Sequence, residues 1–167
     1  MLAYLKLLRG IQLPNPNVIE IGGGSGFLSG LLAQRLGWNI TVLDNNPDAL
    51  EFGRRLNPNP AVNFEAGDLF QCQGSYDLVF SDGLIEHWYP KERHRVIRRH
   101  ADLARSGGYV VIFVPRDTWF VRSFLCMKQG FEDKFTVSQL CAEVAREGLQ
   151  VVRSIQDFHM AGVLCQS

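Results

Sequence analysis

The sequence has little of what a nucleic-acid-binding or membrane protein needs. Its 167 residues carry 17 Lys and Arg against 17 Asp and Glu, so the formal net charge is zero. A balanced charge argues against a protein that binds by neutralising phosphates. No apolar run reaches the roughly 20 residues that a membrane-spanning helix requires. We therefore expect neither a nucleic acid nor a membrane as a partner.

Cysteine is also scarce and shows no pairing pattern. The four cysteines are Cys72, Cys126, Cys141 and Cys165. Without a C-x-x-C pair, they are typical of the reduced, mostly buried thiols of a cytoplasmic protein. No cluster of His and Cys has metal-ligand spacing, so we predict no metal site.

The start of the chain lacks the marks of a signal peptide. Residues Met1–Leu13 are apolar apart from a few polar positions such as Lys6 and Arg9, and they contain no A-x-A cleavage pattern. We predict a short helix there rather than a targeting segment.

The remainder of the chain alternates between strand and helix patterns. The predicted parallel strands are Asn17–Ile21, Asn39–Leu43, Ala61–Glu65, Tyr76–Phe80 and Tyr109–Val114. The predicted helices are Phe27–Leu36, Pro47 to about Leu56, Pro90–Leu103, and a last helix that begins with the capping box at Thr136 and ends near Glu147. Two final segments, Leu149–Asp157 and Met160–Gln166, are too close together for a helical crossover and should pair antiparallel. The order predicts a single domain over residues 1–167, an α/β fold with a doubly wound, mostly parallel sheet.

The segment Val18-Ile-Glu-Ile-Gly-Gly-Gly-Ser-Gly-Phe-Leu-Ser29 carries the strongest functional signal. A strand runs into a glycine-rich turn and then into a helix, whose free N–H groups and positive dipole end favour an anionic or polar ligand. Gly22, Gly24 and Gly26 permit close backbone approach, and Glu20 places an acid at the end of the strand. The spacing is G-x-G-x-G rather than the dinucleotide pattern G-x-G-x-x-G, which indicates an adenosine-type cofactor.

Acidic residues also follow the next three strands. Asp44 and Asn45 follow the second, Asp68 and Leu69 the third, and Ser81-Asp82-Gly83 the fourth. Ligands of open α/β sheets bind beyond the carboxyl ends of the strands, where these residues should meet. Two structural alternatives stay open, with Asp44 as the N-cap before Pro47 and Asp68 as a turn aspartate.

Together these residues resemble class I S-adenosylmethionine-dependent methyltransferases. Phe80-Ser-Asp-Gly-Leu-Ile-Glu-His-Trp88 is similar to the segment after strand four in small-molecule methyltransferases, and Arg105-Ser-Gly-Gly-Tyr109 to their turn into strand five. The resemblance implies a Rossmann-like sheet with an antiparallel last strand and S-adenosyl-L-methionine as the cofactor. The cofactor contacts it implies are Glu20, Gly22, Gly23, Gly24, Gly26, Asp44, Asn45, Asp68, Leu69, Ser81, Asp82 and His87.

The resemblance also implies methyl transfer to a small-molecule acceptor, which we expect to be partly apolar. His87 is the candidate general base, with an ordinary surface imidazole as the alternative. The aromatic segment Arg116–Phe135 should form part of the acceptor pocket, with Trp119 or Phe120 as its apolar wall. The sequence leaves a homo-oligomer open.

Two other functions compete with this hypothesis. An NAD(P)-binding oxidoreductase would require a glycine where Phe27 stands. A non-catalytic, methyltransferase-like subunit that binds a partner is the second, because few residues precede the first strand and the usual N-terminal cap over the substrate is missing.

Two helices carry further expectations. The stripe Phe27, Leu28, Leu31, Leu32 and Leu36 should be the buried face of its helix. The arginines of the longest helix should form a solvated outer face, while His100 should pack in the interior. These arginines are Arg93, Arg95, Arg98 and Arg99.

Overall fold

The computed structural model describes residues 2–119 and 131–167. Its helices are α1 (Leu2–Leu7), α2 (Phe27–Leu36), α3 (Pro47–Leu56), α4 (Pro90–Leu103) and α5 (Val137–Arg146), with a short 3₁₀ helix at Ile85–His87. Its strands are β1 (Asn17–Ile21), β2 (Asn39–Asp44), β3 (Val62–Ala66), β4 (Tyr76–Asp82), β5 (Ala104–Pro115), β6 (Gln150–Gln156) and β7 (Met160–Gln166). None of the helices in the described part of the chain is long and apolar enough to cross a membrane.

The seven strands form one sheet in the order β3-β2-β1-β4-β5-β7-β6. The first five strands run parallel, and β7 pairs antiparallel with both β5 and β6. This confirms the predicted doubly wound sheet with an antiparallel end. The chain winds outward in both directions from the β1–β4 pair, which is the topological switch point where such sheets bind ligands.

The sheet is covered on both faces. Helices α4 and α5 contribute to one apolar cluster, and α1, α2 and α3 contribute to the other. Strand β5 is buried continuously from Val110 to Val114, as its unbroken apolar run predicts. The core therefore holds the carboxyl ends of the central strands in fixed positions.

The prediction that the leucine-rich stripe of α2 is its buried face is wrong. Phe27 and Leu36 are exposed, while Ser29, Gly30 and Ala33 lie buried beside Leu32. The small residues face inward because the helix lies close to its neighbours, and a Cβ on Gly30 would collide with the side chain of Asn57. The close packing of α2 against its neighbours therefore determines which face of the helix is buried.

Strand β5 begins earlier than its apolar run predicts. Ala104 follows the last residue of α4 and already pairs with Tyr76, and Tyr109 then pairs with Leu78. Arg105–Gly108 are the extra residues of this irregular pairing, so the Gly107-Gly108 turn lies inside the strand's bounds.

Helix α1 is attached to the far edge of the sheet. The guanidinium of Arg153 on β6 donates to the carbonyl oxygens of Lys6, Leu7 and Arg9 at the end of α1. The ring of Tyr4 stacks on Phe113, with 4.1 Å between ring centroids. These contacts bring Tyr4 to the carboxyl end of β4.

Candidate functional site

A cleft opens at the carboxyl ends of the central strands and has a volume of about 420 Å³. Six of the predicted site residues line it: Gly22, Asp44, Asn45, Asp68, Leu69 and His87. The other lining residues are Ile21, Leu43, Gly67, Phe70, Gly83, Leu84 and Trp88. Carboxylates lie where β2 and β3 end, and apolar side chains form the wall between the loop after β3 and the loop after β4.

The glycine turn lies at the cleft and lines it with Gly22. Gly22 and Gly26 have φ angles of 65° and 61°, in the left-handed region that favours glycine. A Cβ on Gly22 would lie 2.8 Å from Leu84 Cδ1, and a Cβ on Gly26 would lie 2.7 Å from Phe64 Cε1. Both the backbone angle and the close neighbours therefore require glycine at these two positions.

Asp44 connects this turn to β2. Its Oδ2 accepts a hydrogen bond from the N–H of Gly24 at 2.7 Å, and its Oδ1 accepts one from the N–H of Asn46 at 2.8 Å. The N-cap of α3 is Asn46, whose side chain accepts from the N–H groups of Asp48 and Ala49. Asp44 is therefore not the cap, and its carboxylate lies at the cleft.

Asp68 is a turn aspartate that also lies at the cleft, and its contact with a cofactor stays a prediction. Its Oδ1 accepts from the N–H of Phe70 at 2.9 Å, which makes it a turn aspartate, and it also lines the cleft. Arg99 supports the same loop from α4 by donating to the carbonyls of Leu69, at 3.1 Å, and Cys72. The prediction of a solvated Arg99 is wrong, because its guanidinium satisfies loop carbonyls that have no strand partner.

Glu20 lies beneath the glycine turn. Its side chain is buried and accepts a hydrogen bond from the hydroxyl of Ser29 on α2. A Cβ on Gly23 would lie 2.8 Å from Glu20 Cδ, so the turn rests directly on this carboxyl group. Burial raises the pKa of Glu20 to about 8. Glu20 is not among the residues that line the cleft.

Ser81 lies in the core, in contact with His100 and Tyr4. Ser81 is fully buried: its hydroxyl is 3.0 Å from Nε2 of His100, and its carbonyl accepts from the hydroxyl of Tyr4 at 3.2 Å. Nδ1 of His100 is 2.8 Å from the carbonyl of Val96, which can only accept, so Nδ1 carries the proton and Nε2 accepts from Ser81. Burial lowers the pKa of His100 to about 4, in keeping with the predicted packed histidine.

Asp82, the last residue of β4, is solvent-accessible. The surrounding protein desolvates its carboxyl group and raises its pKa to about 6. Ser81 and Asp82 are not among the cleft-lining residues, so their contact with a cofactor stays a prediction.

Glu86 and His87 lie within the 3₁₀ helix that follows β4. His87 is exposed in the cleft, and its Nδ1 lies 3.3 Å from the carbonyl of Phe131. Because a carbonyl only accepts, Nδ1 carries the proton and Nε2 is the acceptor nitrogen of the ring. Glu86 is buried, and its Oε2 has no hydrogen-bond partner among the described residues. Burial raises the pKa of Glu86 to about 8.

Arg93 is the most consequential residue that the sequence analysis misplaced. It is 1% exposed rather than solvated, and its guanidinium lies over the ring of Phe135 at 4.6 Å. It joins the 3₁₀ turn, the segment before α5 and α5 itself. The acceptors of its hydrogen bonds are Ile85 O (3.1 Å), Trp88 O (3.0 Å), Asp133 Oδ2 (2.7 Å) and Glu143 Oε1 (2.9 Å).

The predicted acceptor segment is described only at its two ends. Trp119 is 76% exposed, and Phe120 lies outside the described residues. At the returning end, Phe131 packs against Tyr89 with ring centroids 4.2 Å apart, and Phe135 is buried in the core. The returning end therefore lies against the segment that carries His87.

Sequence reasoning missed two aromatic residues of the cleft wall. The rings of Phe70 and Trp88 meet edge to face, with centroids 5.8 Å apart, and both residues line the cleft. Each lies within two residues of a predicted site residue, Asp68 or His87. A large aromatic residue within two positions of a predicted site residue was the signal that could have identified them.

Comparison with known proteins agrees with this geometry. The pattern of a family described as "Methyltransferase domain" matches residues 18–108. Trans-aconitate 2-methyltransferase of Deinococcus radiodurans is 31% identical over 105 residues, which are 62% of this chain and 40% of that protein. The chloroplastic 2-methyl-6-phytyl-1,4-hydroquinone methyltransferase 1 of Oryza sativa subsp. japonica is 31% identical over 116 residues, which are 66% of this chain and 34% of that protein. The chain thus spans less than half the length of these two relatives.

Among solved structures, the magnesium protoporphyrin IX methyltransferase of Synechocystis, with bound S-adenosylhomocysteine, has the same fold. It superposes with a TM-score of 0.78 over 98% of this chain and 78% of that chain, at 18% identity. The match to the family pattern covers more than half of the chain and includes the glycine turn, Asp44 and Asp68. The predicted family and its cofactor are confirmed, and this chain belongs to the class I S-adenosylmethionine-dependent methyltransferases.

Proposed function

We propose that this chain binds S-adenosylmethionine in the cleft and transfers its methyl group to a small, partly apolar acceptor. The observation that carries the proposal is the placement of Asp44 and Asp68 at neighbouring strand ends of one cleft, beside the glycine turn. The two relatives described above are named for trans-aconitate and for a phytylated hydroquinone, both small organic molecules, which supports the acceptor class.

The residues of the cleft suit an adenosine-containing cofactor. The Asp44 carboxylate can accept hydrogen bonds from two ribose hydroxyls while it keeps its bonds to the backbone. Leu69, Phe70 and Trp88 offer apolar surface for a planar base, and Asp68 can accept from an exocyclic amino group. The turn at Gly22 leaves room for the rest of the cofactor close to the backbone.

The chain itself contributes to the reaction mainly by positioning the reactants. The bound cofactor supplies an activated methyl group on a sulfonium, so the protein has to orient the acceptor and exclude water. His87 is the proposed proton acceptor for a nucleophile of high pKa. Its Nδ1–H donates to the carbonyl of Phe131, so Nε2 is the nitrogen that would accept the proton.

The acceptor would lie between His87 and the segment after β5. Trp119 stands at the outgoing end of that segment, and residues 131–135 return against the 3₁₀ turn. We propose that Trp119, together with Phe120, forms the apolar wall of the acceptor pocket and that His87 faces it.

Titration calorimetry with S-adenosylhomocysteine and with NAD tests the cofactor assignment. We expect binding of S-adenosylhomocysteine and no response to NAD. Binding of NAD alone would contradict the proposal and favour the oxidoreductase alternative.

Transfer of a radiolabelled methyl group to a panel of small phenols, carboxylic acids and amines tests the acceptor class. His87→Gln should lower kcat for acceptors of high pKa more than for ionised carboxylates, and Trp119→Ala should raise KM for apolar acceptors. Cofactor binding without any transfer to the panel would contradict the acceptor class and favour a non-catalytic, partner-binding subunit.

A further inference from the structure

Carboxyl groups from three elements converge at the carboxyl end of the β1–β4 pair. Glu20 on β1 pairs in register with Phe80 on β4. Because side chains alternate along a strand, Asp82 lies two residues further on the same face. Glu86 follows on the 3₁₀ turn, and the charge of Asp82 acts on both Glu20 and Glu86.

Glu86 supplies the observation that points to a ligand. Its side chain is 2% exposed, and Oε2 has no hydrogen-bond partner among the described residues. Its Oε1 lies 3.3 Å from the position of a Cβ on Gly83, which lines the cleft. A buried carboxyl oxygen without a hydrogen-bond partner is costly, and a positive charge in the adjacent cleft would stabilise the ionised form of this group.

Two cations of the described residues near Glu86 already have acidic partners. Lys134 pairs with Glu132, and Arg93 pairs with Asp133 and Glu143. Lys134 and Glu132 act on Glu86 in opposite directions. Around Asp82, His159 favours the ionised carboxyl, and Asp157 opposes it.

On the α1 side, the hydroxyl of Tyr4 contacts Ser81 O, and burial keeps this phenol neutral by raising its pKa. Glu20 accepts a hydrogen bond from Ser29, and the negative charge of Asp44 contributes to raising its pKa. Burial holds the pKa of both Glu20 and Glu86 at about 8, so both are largely protonated at neutral pH.

We propose that Glu20, Asp82 and Glu86 couple cofactor binding to proton release and thereby discriminate the charged cofactor from its neutral product. The inference rests on the proposed function, since it requires the methyl donor in this cleft. A sulfonium cation close to these carboxyl groups favours their ionised form, and they lose protons when it binds. The coupling acts through space and needs no direct contact.

Methyl transfer then reverses the charge change. The S–CH₃ bond breaks, its electron pair stays on sulfur, and the methyl group forms a bond to the acceptor nucleophile. The sulfur is left as a neutral thioether, so the carboxyl groups rebind protons. The α-amino and carboxylate groups are common to donor and product, and the difference between the two ligands isolates the sulfonium.

The pH dependence follows from the sign of this coupling. Raising the pH from 6 to 8 ionises the carboxyl groups in advance, so affinity for S-adenosylmethionine should rise by up to about tenfold per pH unit for each proton released. Affinity for S-adenosylhomocysteine should rise less over the same range. Product would therefore compete less well with donor as the pH increases.

Calorimetric titration of the whole chain at pH 7, in two buffers with different ionisation enthalpies, measures the proton release directly. We expect S-adenosylmethionine to release about half a proton or more beyond the release with S-adenosylhomocysteine. Glu86→Gln should reduce that difference, and Asp82→Asn, at an accessible position, provides a second variant that tests the same cluster. Glu92→Gln, an exposed acid on α4, is the matched control and should leave it unchanged.

Equal proton release for the two ligands, or a difference that both cluster variants leave intact, would overturn the inference while the proposed function stands. Failure of both ligands to bind would instead contradict the proposed function, and the inference would fall with it.

Discussion

The carboxylate of Asp44 accepts a hydrogen bond from the N–H of Gly24 at 2.7 Å. This bond joins the end of β2 to the glycine turn after β1 and fixes the two neighbouring sides of the cleft relative to each other. The same carboxylate has lone pairs left for a ligand, because each of its oxygens accepts one hydrogen bond from the described residues. Two of the strongest features of the sequence are therefore parts of one site.

Replacement of Asp44 by Ala should weaken binding of S-adenosylhomocysteine by about 10- to 150-fold. Hydrogen bonds to a charged group contribute about 1.5–3 kcal/mol, at about 1.4 kcal/mol per tenfold change in affinity. Titration calorimetry measures the effect. Asp48→Ala, at an exposed position in the first turn of α3, is the control and should leave the affinity unchanged. A change of less than threefold in a folded Asp44→Ala protein would contradict a ribose contact.

Gly26→Ala should destabilise the protein more than Gly37→Ala. The two glycines flank α2 with φ angles of 61° and 70°, so an alanine suffers the same backbone strain of about 1–2 kcal/mol at either position. Only Gly26 faces a close neighbour, the ring of Phe64, and overpacking costs about 1–3 kcal/mol more. Urea unfolding measures both variants. Equal losses would show that packing against Phe64 is unimportant.

Arg93→Ala should lower the free energy of unfolding by about 3–5 kcal/mol, because it leaves buried partners without their charge. Arg98→Ala on the same helix removes a partly exposed ion pair with Glu147 and should cost about 1 kcal/mol or less. Urea unfolding compares the two variants. If Arg93→Ala cost no more than Arg98→Ala, the network around the 3₁₀ turn would not be structural.

The free energy of unfolding should fall as the pH rises from 6.5 to 8. Burial raises the folded-state pKa of Glu20 and Glu86 to about 8 from an ordinary value of 4.5, so the folded protein binds more protons between these values. The stability these groups contribute is complete below pH 4.5 and is lost as the pH approaches 8. His100 gives the opposite pH dependence of stability. Its contribution to the free energy of unfolding is lost as the pH falls from 6.5 towards 4.

Each carboxyl group contributes a slope of up to about 1.4 kcal/mol per pH unit. Denaturant unfolding of the wild type and of Glu86→Gln at several pH values checks this, and the variant should show the shallower slope above pH 6.5. Parallel pH profiles would mean that Glu86 titrates normally.

The regular elements could be predicted from the sequence because their ends are marked locally. Strand β1 and helices α2, α3 and α4 have the predicted bounds, and the capping box at Thr136 begins α5. The glycine turn and the acids at strand ends were recognisable for the same reason, since their spacing within the chain is short.

What the sequence could not predict depends on contacts between distant residues. Arg93 is buried because Asp133 and Glu143, which lie 40 and 50 residues further along the chain, neutralise it. A helix pattern alone makes it another charged surface residue. The isolated state of Glu86 Oε2 depends in the same way on the surroundings of the folded chain.

A crystal structure with S-adenosylhomocysteine would locate the cofactor directly. Both ribose hydroxyls should lie within hydrogen-bond distance of the Asp44 carboxylate, the base between Leu69 and the Phe70–Trp88 pair, and the sulfur facing Gly83 and His87. A ligand bound elsewhere, or bound in the cleft with its ribose away from Asp44, would contradict this arrangement.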